Sequence, residues 1–579
     1  MALLVRLVIF LYMSVCFGSD PGSRIRSHLS VRDYPAAIAE WERVRDGDAH
    51  PSPEGRSLRE AYIRALIESG RDDEAIRYFL ARREEGEETD HTLAETLAWG
   101  ILRRSALFDD RIPVTLASLA GVSEARDVRS VSILRERMSA SNALVRLMAV
   151  RLATRYGDDP LIREMCSLLE REKVPYVRMA VIEALGRIES REIREKLRAI
   201  IASRESPLCE KVQALAALVS LSECCDDAES EFLRRSDKPG LRMMVCEMIG
   251  FFRLTEKKGV LLSLLHDPVP DVRTTALNAL HHVSVGVGIG ALLSADEREV
   301  VRHMTEDRDP VTAITAAWLT VRFDPDVGFA TLRARLGDRD PKTRYLAAYV
   351  LGHTDGRERR RVRDLIDTVE DPFVRVNLAL GLIRGGESSS GADLLFSSLG
   401  KISGKVMWEN VHPFFPLLVR SELTHIAGVA GYPDVMDTLT RLNVSDILAK
   451  CKHPGVGEGM RALLEHEVIE VNLRALGILM EVKEEEAIVA LRRLMREGKP
   501  KVRIRAAILL ALSRRDPESL STLYAGYGGA GRESKQEILE AIGEVGDRRS
   551  VPFLLDRLSD PHRLLQVAVA TALVKCIRR

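Results

Sequence analysis

Apolar positions along most of the chain recur at helical spacing. In Val177-Arg178-Met179-Ala180-Val181-Ile182-Glu183-Ala184-Leu185-Gly186 they fall at i, i+3, i+4 and i+7, the single buried stripe of an α-helix. An Asp-Pro turn precedes several such runs. Asp caps a helix N-terminus, and Pro suits the first helical position, where its missing N–H costs nothing. Gly186 suits a left-handed helix end. The clearest turn is Gly543-Glu544-Val545-Gly546-Asp547, after which Val551 to Leu558 begins a new helix. Each unit is thus a two-helix hairpin. One hairpin cannot hide its apolar face alone, so neighbours must stack.

The pattern returns at fixed intervals. Val-Arg or its equivalent occurs at Arg146, Arg178, Arg273, Arg375 and Arg503; Asp340-Pro341-Lys342-Thr343-Arg344 keeps the turn and the Arg. Degenerate versions sit at Lys211, Arg242, Ala313, Asn472, Lys535 and Gln566. From Arg146 to Arg375 the steps are 32, 33, 31, 31, 40, 31 and 31; from Asn472 to Gln566 they are 31, 32 and 31.

These units, with the shared pattern Asp-Pro-x-Val-Arg-x-x-Ala-x-x-Ala-Leu-Gly, resemble HEAT repeats of the short E/Z type first noted in phycobilisome lyases. The resemblance covers roughly Thr92 to Arg579. It implies an all-α fold, a right-handed α-α superhelix. It also implies a ladder along the solenoid in which the turn Asp bonds the Arg of the second helix. By resemblance that role falls on Asp267 or Asp271 with Arg273, Asp340 with Arg344, and Asp371 with Arg375. Ala313, Asn472 and Gln566 depart from the pattern. Ahead of the array, Asp33 to Trp41 and Ala61 to Phe79 resemble tetratricopeptide repeats, with an insertion near residues 46–55. The charged run Arg82 to Glu88 reads as a solvated linker.

The N-terminus has a different character. Arg6 precedes an apolar run, Leu7 to Phe17, which Gly18-Ser19-Asp20-Pro21 ends. Eleven residues are too few to span a bilayer but fit the apolar core of a secretory signal cleaved after Gly18. A lipoprotein signal with Cys16 as the lipidated residue is an alternative, although Met13-Ser14-Val15 matches such signals poorly. A retained first helix is another. The expected organisation is a leader at 1–18, a tetratricopeptide-like cap at 19–91, a HEAT array at 92–385, degenerate units with an aromatic loop at 386–458, and a second array at 459–579.

Two irregularities interrupt the repeat. The step of 40 between Arg273 and Ala313 places an enlarged loop at residues 281–290; adjacent His281 and His282 there make a poor metal pair, and the three alternating glycines lack the strand and Lys-Ser/Thr of a phosphate loop. Between Arg375 and Asn472, Ser388-Ser389-Ser390-Gly391 reads as a loop, and Trp408, His412, Phe414 and Phe415 lie in a Pro-flanked aromatic loop. Two readings of these four residues are open: a hot spot for a partner, or a plug of core aromatics between divergent units. The basic run Arg357 to Arg363 reads as exposed helix charge.

Composition narrows the function. Charged residues make up 29% and apolar residues 46%, which excludes a disordered chain. Net charge is zero, with 85 basic and 85 acidic residues, and aromatics are 5%. Neither favours nucleic acid as the main ligand. The 69 Arg against 16 Lys leave two causes open, a GC-rich genome and bidentate ion pairs. No Cys-x-x-Cys pair supports a zinc ribbon or redox site, and vicinal Cys224-Cys225 reads as two loop thiols. HEAT-fold hydroxylases hold two irons with several His-Glu dipeptides; here only His466-Glu467 occurs. The expectation is a non-catalytic, exported scaffold for a protein or peptide, without cofactor, metal or transmembrane span. The alternative is a lyase-like or enzyme-accessory protein acting on a small molecule or modifying a partner.

Overall fold

The computed structural model describes residues 21–44, 53–84, 90–188, 191–203, 205–354, 358–422, 432–464, 466 and 468–579. The leader with Cys16, most of the insertion near 46–55, and Glu467 lie outside the described residues. The described chain is helical apart from one two-stranded hairpin, and it packs into two compact units: 186–490, and 1–185 together with 491–579. Among the described residues no helix is long and apolar enough to cross a membrane.

In the unit 186–490 the second helices of successive hairpins include α1 (Pro239–Phe251), α2 (Pro270–Ser284), α3 (Pro310–Thr320), α4 (Pro341–Gly352) and α5 (Pro372–Arg384), each packed on the next. First and second helices bury different amounts of surface, as their sequences require. The first helix Arg191–Ala202 buries Ile193, Leu197 and Ile201, one stripe at four-residue spacing. In α3 every residue from Thr312 to Thr320 is buried. The Asp-Pro starts behave as caps: Asp340 accepts the Thr343 N–H at 2.8 Å, and Asp371 accepts that of Phe373 at 2.9 Å. At the far end of the chain, Gly546 closes the helix Arg532–Val545 in the left-handed conformation with φ 68°. Gly186 is not among the left-handed glycines.

The Arg residues of the second helices do join neighbouring units, but with a different register from the one the family pattern implied. Arg273 bonds Asp307 of the following turn (Nη2–Oδ1 2.7 Å) and donates Nη1 to Asp267 O of its own turn at 2.9 Å. Arg242 likewise bonds Asp267 through Nε at 2.6 Å. Arg344 reaches Asp371 at 3.3 Å, while Asp340 stays on its cap, and Asp271 lies in the first turn of α2. Arg375 donates to the Ile366 and Val369 carbonyls. The cause is side-chain direction. A long helical side chain leans toward its own N-terminus, which sets one edge of the guanidinium on its own turn's carbonyls and the other on the adjacent turn. Burial pushes the Asp267 carboxyl up, but hydrogen bonds from Arg242 and the Val269 N–H leave it below the usual carboxylate range.

Three local expectations change. Ser388 starts the helix Ser388–Leu399, so Ser388-Ser389-Ser390-Gly391 is its first turn; a Cβ on Gly391 would sit 3.0 Å from Ile383 N of α5, so glycine allows that close packing. The extra residues after Arg273 form an extended α2, a turn with Gly286 and Gly288 at φ 95° and 84°, and the short helix Ile289–Leu292. Residues 82–84 continue the helix Asp72–Glu84.

In the unit 1–185 with 491–579, the helix Arg563–Arg578 packs against His91–Phe108 and Ile112–Glu124, more than 400 residues earlier, and against its repeat neighbour Arg532–Val545. A Cβ on Gly121 would come within 2.2 Å of Thr571 Oγ1, so glycine leaves the room that this side chain occupies. Arg563 pairs with buried Asp72 at 2.6 Å, Lys575 with Glu124 at 3.3 Å, and Arg578 with Glu95 and Asp127.

Candidate functional site

A two-stranded antiparallel ladder is marginal in water by itself, so a lone hairpin needs outside support. The hairpin here comprises β1 (Val406–Glu409) and β2 (Leu417–Arg420), with Trp408 opposite Leu418. Its support comes from the second helices. The Asn377 amide of α5 bonds both backbone groups of Leu418: Nδ2 donates to Leu418 O at 2.9 Å, and Leu418 N–H donates to Oδ1 at 3.0 Å. Asn377 thus acts as one more residue of a neighbouring strand. On the other strand, Val406 N–H donates at 2.8 Å to Asp437 of α6 (Tyr432–Lys450), and Glu409 pairs with Lys342.

The loop between the strands carries three of the four aromatic-loop residues singled out in the sequence. His412 is 2% exposed. Its Nδ1 accepts the Phe414 N–H at 3.1 Å, which fixes the proton on Nε2; that proton is donated to Thr315 Oγ1 of α3 at 3.1 Å. Burial, with Arg384 adding to it, holds the imidazole down to about 3 and therefore neutral. Phe415 is 1% exposed and stacks on His412 with ring centres 4.6 Å apart. Trp318 and Tyr349 each lie 5.3 Å away and His353 5.5 Å. Phe414 is half-buried against His282 at 4.9 Å, and Trp408 is half-buried on β1. His412 and Phe415 therefore fill a pocket of their own chain, and Trp408 and Phe414 leave part of their rings accessible.

The pocket walls were not singled out in the sequence. Asn278, Thr315, Trp318, Tyr349 and Asn377 line it, all on second helices. One signal was present: Asn377 interrupts Phe373-Val374-Arg375-Val376-Asn377-Leu378, and a buried amide in an apolar run needs a partner. Beside the pocket, burial holds His281 down to about 3, with Arg322, His282 and His353 acting in the same direction. Among the described residues no group of three or more His, Cys, Asp or Glu side chains is placed to hold a metal ion. The described cysteines are free thiols, and buried Cys225 lies 3.5 Å from Met248 Sδ.

Comparison with known proteins bears on the architecture. Residues 131–217 match the family model for HEAT repeats, and residues 259–286 match that for a HEAT repeat. No curated protein is significantly similar to the chain. Among solved structures, the myosin chaperone UNC-45 from C. elegans in complex with an Hsp90 peptide is 13% identical, covering 96% of this chain and 81% of its own, with TM-score 0.37. The karyopherin Kap121p bound to Nup53p is 10% identical over 90% and 77%, with TM-score 0.33. The E. coli protein YibA is 16% identical over 48% of this chain and 95% of its own, also with TM-score 0.33. The chain carries HEAT repeats and folds as an all-α solenoid.

Proposed function

We propose that the protein is a non-catalytic scaffold or adaptor, exported to the bacterial cell envelope, that binds a protein or peptide along its second helices. The observation that carries this reading is the grip of Asn377 on Leu418: this face already holds an extended strand by its backbone, independently of side-chain identity. Export rests on the apolar run Leu7 to Phe17 after Arg6. The repeat length of 31 to 33 residues supports the short E/Z type. At the N-terminal end, the helices Tyr34–Val44, Pro53–Glu68 and Asp72–Glu84 share a Trp41–Tyr62–Tyr78 cluster, with Trp41 and Tyr62 stacked at 5.0 Å, which supports a tetratricopeptide-like cap.

Crosslinking with mass spectrometry in the native host is expected to recover a stable protein partner. Recovery of none, together with turnover of a small molecule by the purified chain, overturns the scaffold reading in favour of an enzyme. N-terminal sequencing of the mature chain tests export separately, and an intact Met1 refutes it.

A further inference from the structure

At three junctions between units the repeat arginine meets an acid that stands six positions before the next repeat residue. Arg146 bonds Glu172 at 2.6 Å, Arg242 bonds Asp267 at 2.6 Å, and Arg273 bonds Asp307 at 2.7 Å. One junction keeps the cation and loses the acid. Lys211 holds the repeat position there, and the residue six before Arg242 is Ser236. The same unit also lacks the acceptor of its helix cap. Four positions before the repeat residue, Asn142 and Asp309 accept N–H groups of their own first turns, whereas Pro207 offers the helix Leu208–Ser220 no side-chain acceptor.

What stands there instead is a cavity of about 590 Å³, lined by Leu208, Lys211, Phe232, Ser236 and Leu241 among others. The matching groove at Arg344, where Asp371 is in place, measures about 360 Å³. Lys211 is 8% exposed, so its side chain lies inside the fold. Its ammonium lies 5.5 Å over the Phe232 ring, and among the described residues it has no hydrogen bond or ion pair. The two carboxylates that line the cavity are engaged elsewhere: Glu231 with Arg234 and Arg235, and exposed Asp237 with Lys238 at 3.0 Å. A lysine stem that covers apolar surface while its amine meets water is ordinary. That does not account for losing the rung acid and the cap acceptor around the same cation. The other junctions show what fits such a place, a carboxylate that bonds the buried cation. Beside the amine, Leu208 and Phe232 are 40% and 47% exposed, an apolar shelf next to a polar socket.

We propose that this cavity takes a Glu or Asp side chain of a partner peptide, its carboxylate on Lys211 and an aliphatic or aromatic neighbour laid on Leu208 and Phe232. The peptide then supplies the acid that Ser236 does not. This names the partner chemistry for the scaffold reading and rests on it. A peptide fits better than a nucleic acid: the socket holds a single buried cation, and a run of phosphates would also meet Glu231 and Asp237.

The test titrates the full chain, by fluorescence anisotropy, with a pool of fluorescein-labelled synthetic pentapeptides that carry Glu at the centre and Leu, Ile or Phe on each side. The Gln-centred pool and a labelled single-stranded oligonucleotide are the comparators. The Glu pool is expected to bind, and to bind at least about tenfold more weakly to Lys211→Met; the Gln pool should lose as much on the parent chain. Lys211→Met keeps the stem and removes a charge without a partner in the fold, so its melting temperature should equal or exceed the parent's. Ser236→Asp restores the rung acid, and should raise the melting temperature while closing the site to the peptide. No binding of the Glu pool, equal binding of the Gln pool, undiminished binding to either variant, or tighter binding of the oligonucleotide each overturns the proposal. A lower melting temperature for Lys211→Met does so too, since it gives the amine a partner within the fold. The partner crosslinked in the native host separates the two readings. If Lys211→Met still captures it in full, this site fails and the scaffold reading stands; if the wild type captures none, the scaffold reading itself fails.

Discussion

His412 accepts a proton bond on Nδ1 and donates one from Nε2, so protonating it breaks the first bond and buries a charge beside Arg384. His281 and His412 have folded-state values near 3 against about 6.5 when unfolded. The unfolded chain therefore takes up protons first as pH falls below about 6.5, and the unit 186–490 loses stability from there down to about 3, at up to about 1.4 kcal/mol per pH unit for each histidine. Asp127 behaves oppositely. Burial pushes it up, but bonds from Arg129 and Arg578 bring it to about 2, so its contribution is intact above about pH 4 and lost only as pH falls from there toward 2. Thermal melts between pH 7 and 5.5 should thus show stability falling with pH, and His412→Gln should make that slope shallower. Phe415→Ala should cost about 3–5 kcal/mol in a denaturant titration, and Trp408→Ala distinctly less because its ring is half-exposed. The sequence left open whether these aromatics bind or pack, and for a physical reason: large rings dominate cores and interfaces alike, and only the surrounding groups decide.

The helix hairpins were legible because their signal is local and repeated: an Asp-Pro cap, a stripe at i, i+3, i+4 and i+7, and a step near 31. The β-hairpin was not. Four-residue strands give too few alternations to read, and the amide that steadies β2 lies 41 positions away on α5. The rungs between units fail to show for a similar reason. Each turn offers several carboxylates, and only the lean of the arginine selects the one in the next unit. Asn377→Ala should leave two buried backbone groups of Leu418 unpaired. Amide exchange at residues 406–420 is expected to rise by about one to two orders of magnitude, with the α5 amides little changed. Arg273→Gln leaves the half-buried Asp307 carboxylate with the Asp309 N–H alone and should destabilise the unit by about 1–3 kcal/mol. Close helix contact adds a further constraint: a Cβ on Gly381 would lie 2.0 Å from Tyr349 O, so Gly381→Ala must push α4 and α5 apart, and a lower melting temperature checks it.

At the scale of the molecule, the boundaries expected from sequence followed changes in repeat quality, whereas packing groups residues 1–185 with 491–579. No local pattern encodes that pairing, since its contacts join side chains more than 450 positions apart. Arg578→Glu would set a third carboxylate against Glu95 and Asp127. Faster amide exchange in residues 91–124, with residues 241–280 unchanged, is the expected outcome. The same contact has a consequence for how the chain is made. The helix Ile112–Glu124 emerges from the ribosome long before residues 563–578 that cover it. At about 5–20 residues per second the wait is about 20–90 s, during which Gly121 and Glu124 belong to a face that still lacks its covering helix. Synthesis therefore holds this unit open until late, and its N-terminal helices wait exposed through that interval.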